Sequence, residues 1–395
     1  MADSTVSPTP SPADHPVYVI GAGPGGLAVA YALRARGIRA VVLEKAAVGD
    51  SWRRHYDRLH LHTTRRMSSL PGLALPRRFG RWTSRDDMVR YLEKYAEVHE
   101  LEIVTGVEVS RVERAADGGW LLRATGGREL TGGAVVVATG YNHTPYVPGW
   151  AGRDAYTGEF LHASAYRGPG PYAGRDVLVV GAGNTGAEIA VDLVEGGASR
   201  VRLAVRTVPH IVRRSTAGWP AQYTAVLVRR LPVRLVDRLA RPMARLSLPD
   251  LSAQGLPRPD TGLYSRVRQG AIPVQDVGLV EAVRKGTVEV VAAVESFEDG
   301  KVVLADGGPL SPDAVIAATG YVRALEGLVG HLGVLDGRGL PAVHGARTAD
   351  GSPGLYFTGF TTPISGTLRE LARDAEKIAR AVARRGGAEL SRLPG

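Results

Sequence analysis

The chain has 395 residues, enough for two domains with separate cores. Hydrophobic residues make up 44% and charged residues 22%, the balance of a globular protein, and the absence of cysteine excludes disulfides, thiolate metal sites and redox dithiols. The formal charge of +10 comes almost entirely from scattered arginines, with some crowding between Arg206 and Arg245. No nucleic-acid-binding motif accompanies that charge, so arginine usage and a need to hold anions explain it better than a nucleic-acid partner.

Residues 1–15 are rich in Ser, Thr and Pro and read as a disordered tail, not a signal peptide. Residues 17–20 form a short buried-strand pattern, followed at once by Gly21-Ala22-Gly23-Pro24-Gly25-Gly26. Residues 27–36 have helical periodicity, and Gly37 suits the stop. A second strand over 41–44 ends in Glu44. Ser84-Arg85-Asp86-Asp87 opens a helix with a capping-box pattern, and Met88, Tyr91, Leu92, Tyr95 and Val98 give it one apolar face.

A strand over 135–137 runs into Ala138-Thr139-Gly140-Tyr141. The plan then repeats: a strand over 177–180, the turn Gly181-Ala182-Gly183-Asn184-Thr185-Gly186, a helix to Glu195, and a strand over 201–205 leading to Arg206. Residues 222–248 alternate arginine with Leu and Val and are broken by Pro232 and Pro242. They read as part of a helical insertion, about 219–270, that packs its apolar face on its own domain rather than on a membrane surface. Residues 315–317 lead into Ala318-Thr319-Gly320-Tyr321, the second Ala-Thr-Gly-Tyr, and a closing helix spans 367–385. Nowhere do about 18 apolar residues run together, so no membrane span is expected and the protein should be cytoplasmic.

A strand–glycine turn–helix, closed later by a strand ending Ala-Thr-Gly-Tyr, thus occurs twice. One G-x-G-x-x-G is a weak signal, but two between strand and helix point to two dinucleotide sites. Gly21 and Gly181 make the tight turns, Gly23 and Gly183 let backbone approach a pyrophosphate, and Gly26 and Gly186 allow close helix–strand packing. The helix N-termini supply free N–H groups to the anion. Glu44 is placed to accept from a ribose 2′-hydroxyl, which suits the adenosine of FAD. Arg206 ends the corresponding strand of the second module, where a guanidinium would pair with a 2′-phosphate and favour NADPH. Arg213 and Arg214 either assist there or are simply solvated. The fold expected is α/β, with two Rossmann-like dinucleotide-binding domains.

With these motifs the chain resembles the class B flavin-containing monooxygenases, in particular their YUCCA-like branch. The family fingerprint F-x-G-x-x-x-H-x-x-x-(F/Y) is carried by Tyr156, Gly158, His162 and Tyr166, with Tyr replacing the first Phe. Gly49-Asp50-Ser51-Trp52, Tyr56-Asp57-Arg58-Leu59-His60-Leu61-His62, and Gly354-Leu355-Tyr356-Phe357-Thr358-Gly359-Phe360 extend the likeness over nearly the whole chain. The resemblance implies a discontinuous FAD domain, 16–150 and 312–395, with an NADPH domain inserted at 151–311. It implies FAD contacts from Gly21, Ala22, Gly23, Pro24, Gly25, Gly26, Glu44, Lys45, Ser51, Trp52, His62, Thr63, Val107, Ala138, Thr139, Gly140, Gly359 and Phe360. NADPH contacts fall to Gly181, Gly183, Asn184, Thr185, Gly186, Arg206, Ala318, Thr319 and Gly320.

His62 and Asn184 are the candidates for positioning flavin and NADP at the reaction centre. Many heteroatom-oxidising relatives carry Asn where this chain has His62, which tilts the substrate away from simple amines. His162 is expected to act in hinge geometry. His60 and His62 lack carboxylate or cysteine companions, so no metal site is expected. The implied reaction is NADPH reduction of FAD, formation of a C4a-(hydro)peroxyflavin with O₂, and oxygenation of a small molecule: a nitrogen or sulfur centre, a ketone or an aromatic α-keto acid. The alternative is a flavin reductase or oxidase that releases H₂O₂. Self-association is left open.

Overall fold

The computed structural model describes residues 15–229 and 231–390. Apart from His15, the expected tail at 1–15 lies outside the described residues. Val17–Ile20 forms the centre of a five-stranded sheet ordered Leu355–Phe357, Ala134–Val137, Val17–Ile20, Ala40–Glu44, Glu102–Thr105. Every neighbouring pair is parallel. Strands covered on both faces need continuous apolar runs, which is why Val-Tyr-Val-Ile and Ala-Val-Val-Val sit at the centre.

A second five-stranded parallel sheet is ordered Glu289–Val291, Arg200–Ala204, Asp176–Val180, Ala314–Ala317, Glu159–His162. The two match in register: Ile20 faces Leu43 and Val137, while Val180 faces Ala204 and Ala317. Each sheet is accompanied by a three-stranded antiparallel one, from Val109–Arg114 to Arg128–Gly132 and from Val294–Glu298 to Pro309–Leu310. The expected α/β duplication is present strand for strand.

One boundary moves. Ala314–Ala317 belongs to the second sheet, between Asp176–Val180 and Glu159–His162, so the return to the first module expected at 312 comes too early. All four residues are buried there, and the chain rejoins the first sheet only at Leu355–Phe357.

Helix Pro24–Arg34 starts with proline in its first turn and packs against the closing helix, which runs Thr367–Leu390. Helix Arg85–Val98 begins as expected at Ser84, whose Oγ accepts the Asp87 N–H at 3.2 Å and donates to the Asp87 carboxylate at 3.0 Å. Met88, Tyr91, Leu92 and Tyr95 are buried, but Val98, in the last turn, is exposed. Ser84→Ala should cost about 1 kcal/mol of stability through the lost cap. A lower urea midpoint at unchanged m-value is the expected readout; an unchanged midpoint would refute it.

The insertion contains helices Ala221–Val228, Val233–Ser247 and Leu263–Arg268. Pro232 separates the first two and Pro242 lies inside the second. Val236 and Asp237 turn inward, and Asp237 accepts the backbone N–H of Tyr264 at 2.7 Å and of Ser265 at 3.1 Å. Leu227, Leu231, Leu235 and Leu239 are instead exposed, so the apolar face does not pack wholly on its own domain as expected. Among the described residues no helix is long and apolar enough to cross a membrane.

Candidate functional site

Each glycine turn is dictated by contacts that leave no room for a side chain. A Cβ on Gly26 would stand 1.9 Å from the Gly21 carbonyl oxygen, and one on Gly186 would stand 1.9 Å from that of Gly181. Gly21 and Gly181 have φ of +107° and +113°, where only glycine is unstrained. Gly23 and Gly183 differ: a Cβ on either meets nothing within 4 Å. Open space therefore faces both helix N-termini, as the approach of a pyrophosphate requires.

The first turn opens on a cavity of about 620 Å³ at the junction of the modules, within the usual range for a small-molecule site. Its walls include Gly21, Gly23, Pro24, Gly25, Glu44, Lys45, Ser51, Trp52, His62, Thr63, Val107, Ala138, Thr139, Gly140 and Gly359. Glu44 accepts from the N–H of Ala22 at 2.7 Å and of Ala46 at 2.9 Å, which fixes its carboxylate at the cavity edge with lone pairs to spare. Thr139 Oγ1 and Thr358 Oγ1 are buried without a hydrogen-bond partner, a polarity that a bound cofactor can satisfy.

Three expected FAD residues do not reach this cavity. Ala22 is fully buried in the core and its N–H is taken by Glu44. Gly26 is consumed by helix–strand packing. Phe360 is 3% exposed, packs against Phe357 with ring centroids 6.3 Å apart, and so faces the core of the first module.

From the second module Asn184 and Thr185 line the same cavity. Both ends of the Asn184 amide hold backbone: Nδ2 donates to Pro273 O at 3.0 Å and Oδ1 accepts Gln275 N–H at 2.7 Å. Asn184 thus pins the segment Ala271–Pro273–Gln275 that forms the cavity wall.

Arg206 needs a register correction. Gly21 N–H donates to Leu43 O and Gly181 N–H to Ala204 O, so the counterpart of Glu44 is Val205. Arg206 stands one residue further, at the position equivalent to Lys45 of the first module. It is exposed and has no carboxylate partner among the described residues. Arg213 and Arg214 face a separate cavity of about 870 Å³, lined also by Arg58, Arg81, Trp82 and Glu188. Arg214 lies 4.6 Å from the Trp82 ring centroid.

Ala318, Thr319 and Gly320 are likewise absent from the cavity walls and join the two linkers instead. Thr319 Oγ1 donates to Tyr146 O, and Gly320 O accepts from Tyr146 N–H at 2.9 Å. Tyr321–Val322 then pairs antiparallel with Thr144–Pro145. His162 seals this crossing. Its Nδ1 accepts Ser164 N–H at 3.0 Å, so Nε2 carries the proton and donates to Gly320 O, also at 3.0 Å. Burial lowers its pKa. A neutral ring with both nitrogens engaged holds the two linkers together where they cross.

Several residues at the module junction were not foreseen. Gln222 accepts Thr64 N–H at 2.9 Å and donates to Ser365 O at 2.8 Å, stapling the insertion to the first module. Glu188 meets Tyr56 and His62, and Asp192 meets Tyr166 at 2.7 Å and Arg58 at 3.4 Å. The signal was available: Asn184, Glu188 and Asp192 recur at i, i+4, i+8 on a helix otherwise apolar on that side. Burial, with nearby Arg167 and Arg85, pushes the His55 pKa down to about 4, so this cavity residue is neutral at pH 7.

The family profile described as "Pyridine nucleotide-disulphide oxidoreductase" matches residues 18–217. The chain falls in that family by fold, while its lack of cysteine excludes the dithiol chemistry of the description. Indole-3-pyruvate monooxygenase YUCCA1 from Oryza sativa subsp. japonica is 38% identical over 367 residues, covering 91% of this chain and 90% of the relative. The probable indole-3-pyruvate monooxygenase YUCCA3 from Arabidopsis thaliana is 32% identical, covering 87% and 81%. Among solved structures, the flavin-containing monooxygenase from Stenotrophomonas maltophilia superposes with a TM-score of 0.71 at 25% identity, covering 94% of this chain and 98% of that one. Two glycine turns with open space before them, one shared cavity and these relatives agree: the chain belongs to the flavin-containing monooxygenases, in their YUCCA-like branch, as an FAD- and NADPH-dependent enzyme.

Proposed function

We propose that this monooxygenase acts on an aromatic α-keto acid, with indole-3-pyruvate as the leading candidate. The observation that carries this reading is the naming of relatives 38% and 32% identical for indole-3-pyruvate; His62, where the resemblance places Asn in many heteroatom-oxidising members, lines the cavity wall and supports it. Apolar groups on the same walls, Leu263, Val267, Ile272, Ile364 and Leu371, suit an aromatic ring. We assign FAD to the first module, 16–150 and the segment after Ala314–Ala317, through Gly21, Gly23, Pro24, Gly25, Glu44, Lys45, Ser51, Trp52, Thr63, Val107, Ala138, Thr139, Gly140 and Gly359. NADPH is assigned to the second through Gly183, Thr185 and Arg206, with Asn184 shaping the wall.

Bound FAD, once reduced by NADPH, supplies the activation of O₂. The chain's own residues orient the two cofactors, close the junction and keep water from the reacting centre. The cytoplasm is the proposed place of work. With purified holoenzyme, indole-3-pyruvate and phenylpyruvate should raise NADPH consumption, yield the acid one carbon shorter and lower the peroxide formed per NADPH. A thioether and a tertiary amine should neither raise NADPH consumption nor lower the peroxide formed per NADPH. If the keto acids change nothing while the thioether is oxygenated, the substrate class is wrong and the enzyme class stands.

A further inference from the structure

Glu188 lies in the middle of helix Asn184–Glu195, the helix of the second glycine turn, and is 3% exposed. A buried carboxylate without partners is strongly destabilising. Both of its partners come from the first module. Tyr56 Oη donates to Oε2 at 3.0 Å, and His62 Nε2 stands 2.9 Å from Oε1. Burial first, then the charge of Glu188, raises the Tyr56 pKa well above its ordinary value, so Tyr56 remains a donor. Arg214 and His55 also feel the Glu188 charge through space. His62 lines the cavity, yet its Nδ1 is buried without a hydrogen-bond partner, and Glu188 Oε1 meets the ring as a close ion-pair contact, not an aligned hydrogen bond.

We infer that Glu188 is a positioning residue of the flavin site: reaching across from the NADPH-side helix, it fixes His62 as the Nε2–H tautomer and seats that ring as the cavity wall. The inference rests on the assignment of this cavity to the flavin and substrate. Glu188 touches neither cofactor nor substrate in this role and acts through His62. Tyr56 and His62 lie against different oxygens of the carboxylate, and an oxygen 2.9 Å from an imidazole nitrogen needs a proton between them, whereas an amide presents oxygen on one side only. Glu188→Gln therefore turns an N–H toward one of them, frees the His62 ring to take the other tautomer and opens the wall to water. Seating of His62 then depends on how the two modules meet, because each contributes one half of the contact.

The test uses FAD-loaded wild type, Glu188→Gln, His62→Asn and the double variant. In wild type at pH 8 the ¹⁵N shifts of His62 should show the Nε2–H tautomer, and in Glu188→Gln a mixed or reversed one. NADPH oxidation without substrate, read as peroxide, should rise about tenfold in Glu188→Gln, as the carboxylate that holds the ring against the wall is lost. The KM for NADPH should stay within about twofold, which separates this role from a general loosening of the helix. Glu188→Gln should add nothing to His62→Asn.

An Nδ1–H tautomer in wild type overturns the inference, and so do additive effects in the double variant. Should Glu188→Gln lose FAD, the wild-type tautomer still decides. If the variant reverses the tautomer but neither it nor His62→Asn changes peroxide release, the contact is real, and the flavin-side assignment of His62 is what fails.

Discussion

Gly26→Ala should fail to give a stable flavoprotein, whereas Gly23→Leu should fold and purify colourless. The two glycines lie three residues apart in one turn, yet their surroundings differ completely. The added Cβ at position 26 would lie 1.9 Å from Gly21 O and 3.1 Å from Gly21 C. Those are backbone atoms, held in turn by the 2.8 Å bond from Gly21 N–H to Leu43 O, so they cannot swing aside. Overpacking a core costs about 1–3 kcal/mol where side chains can shift. Displacing backbone at the centre of the first sheet should exceed that, against a total stability of roughly 5–15 kcal/mol.

At Gly23 the φ of −82° suits any residue, and a Cβ meets nothing within 4 Å. The backbone therefore accepts a side chain at this position, and the leucine is expected to extend into the space that the pyrophosphate of FAD would take. Circular dichroism and urea unfolding report the fold, and chromatography of the denatured protein reports FAD. A yellow Gly23→Leu protein would place the pyrophosphate elsewhere, and a fully stable Gly26→Ala protein would contradict the packing.

Arg206→Ala should raise the KM for NADPH ten- to a hundredfold and leave the KM for NADH nearly unchanged. A guanidinium–phosphate contact is worth roughly 1.5–3 kcal/mol, which converts to about that factor. The register shift strengthens the case. Val205, not Arg206, follows the path of Glu44, so no carboxylate in this turn repels a 2′-phosphate. Arg206 is exposed and unneutralised, free to meet one. Because the contact is remote from the nicotinamide, it contributes equally to ground and transition states, and the reduction rate at saturation should hold. Equal loss of both coenzymes would make Arg206 structural, and wild-type use of NADH as well as NADPH would remove its role in selection.

Much of the architecture was legible because short-range chemistry dictates it. Val17–Ile20 and residues 177–180 are apolar runs ended by glycines that adopt positive φ, and a run of four with a glycine turn at its end suits a buried parallel strand. Ser84 announced its helix through a cap that involves only three following residues. The glycine spacing marked both dinucleotide turns, since close helix–strand approach is a property of the turn itself.

What the tertiary structure decided depends on residues far apart in sequence. Ala314–Ala317 reads as the same kind of short apolar strand as Ala134–Val137, and only pairing with Asp176–Val180 shows which sheet it completes. Ala318–Gly320 imitate a cofactor turn, but the neighbouring linker occupies their polar groups. Phe360 follows Gly359 immediately and still points into the core, because Phe357 and its neighbours offer apolar surface there. The exposure of Leu227, Leu231, Leu235 and Leu239 is a statement about absent neighbours, and no periodicity reports absence. Glu188 shows the same division: its place on a buried helix face is written in the i, i+4 spacing, while its partners, 132 and 126 residues away, are set by how the modules close. Periodicity fixes which side of an element is buried; it carries no information about what is buried against it, because that contact is made across the chain and not along it.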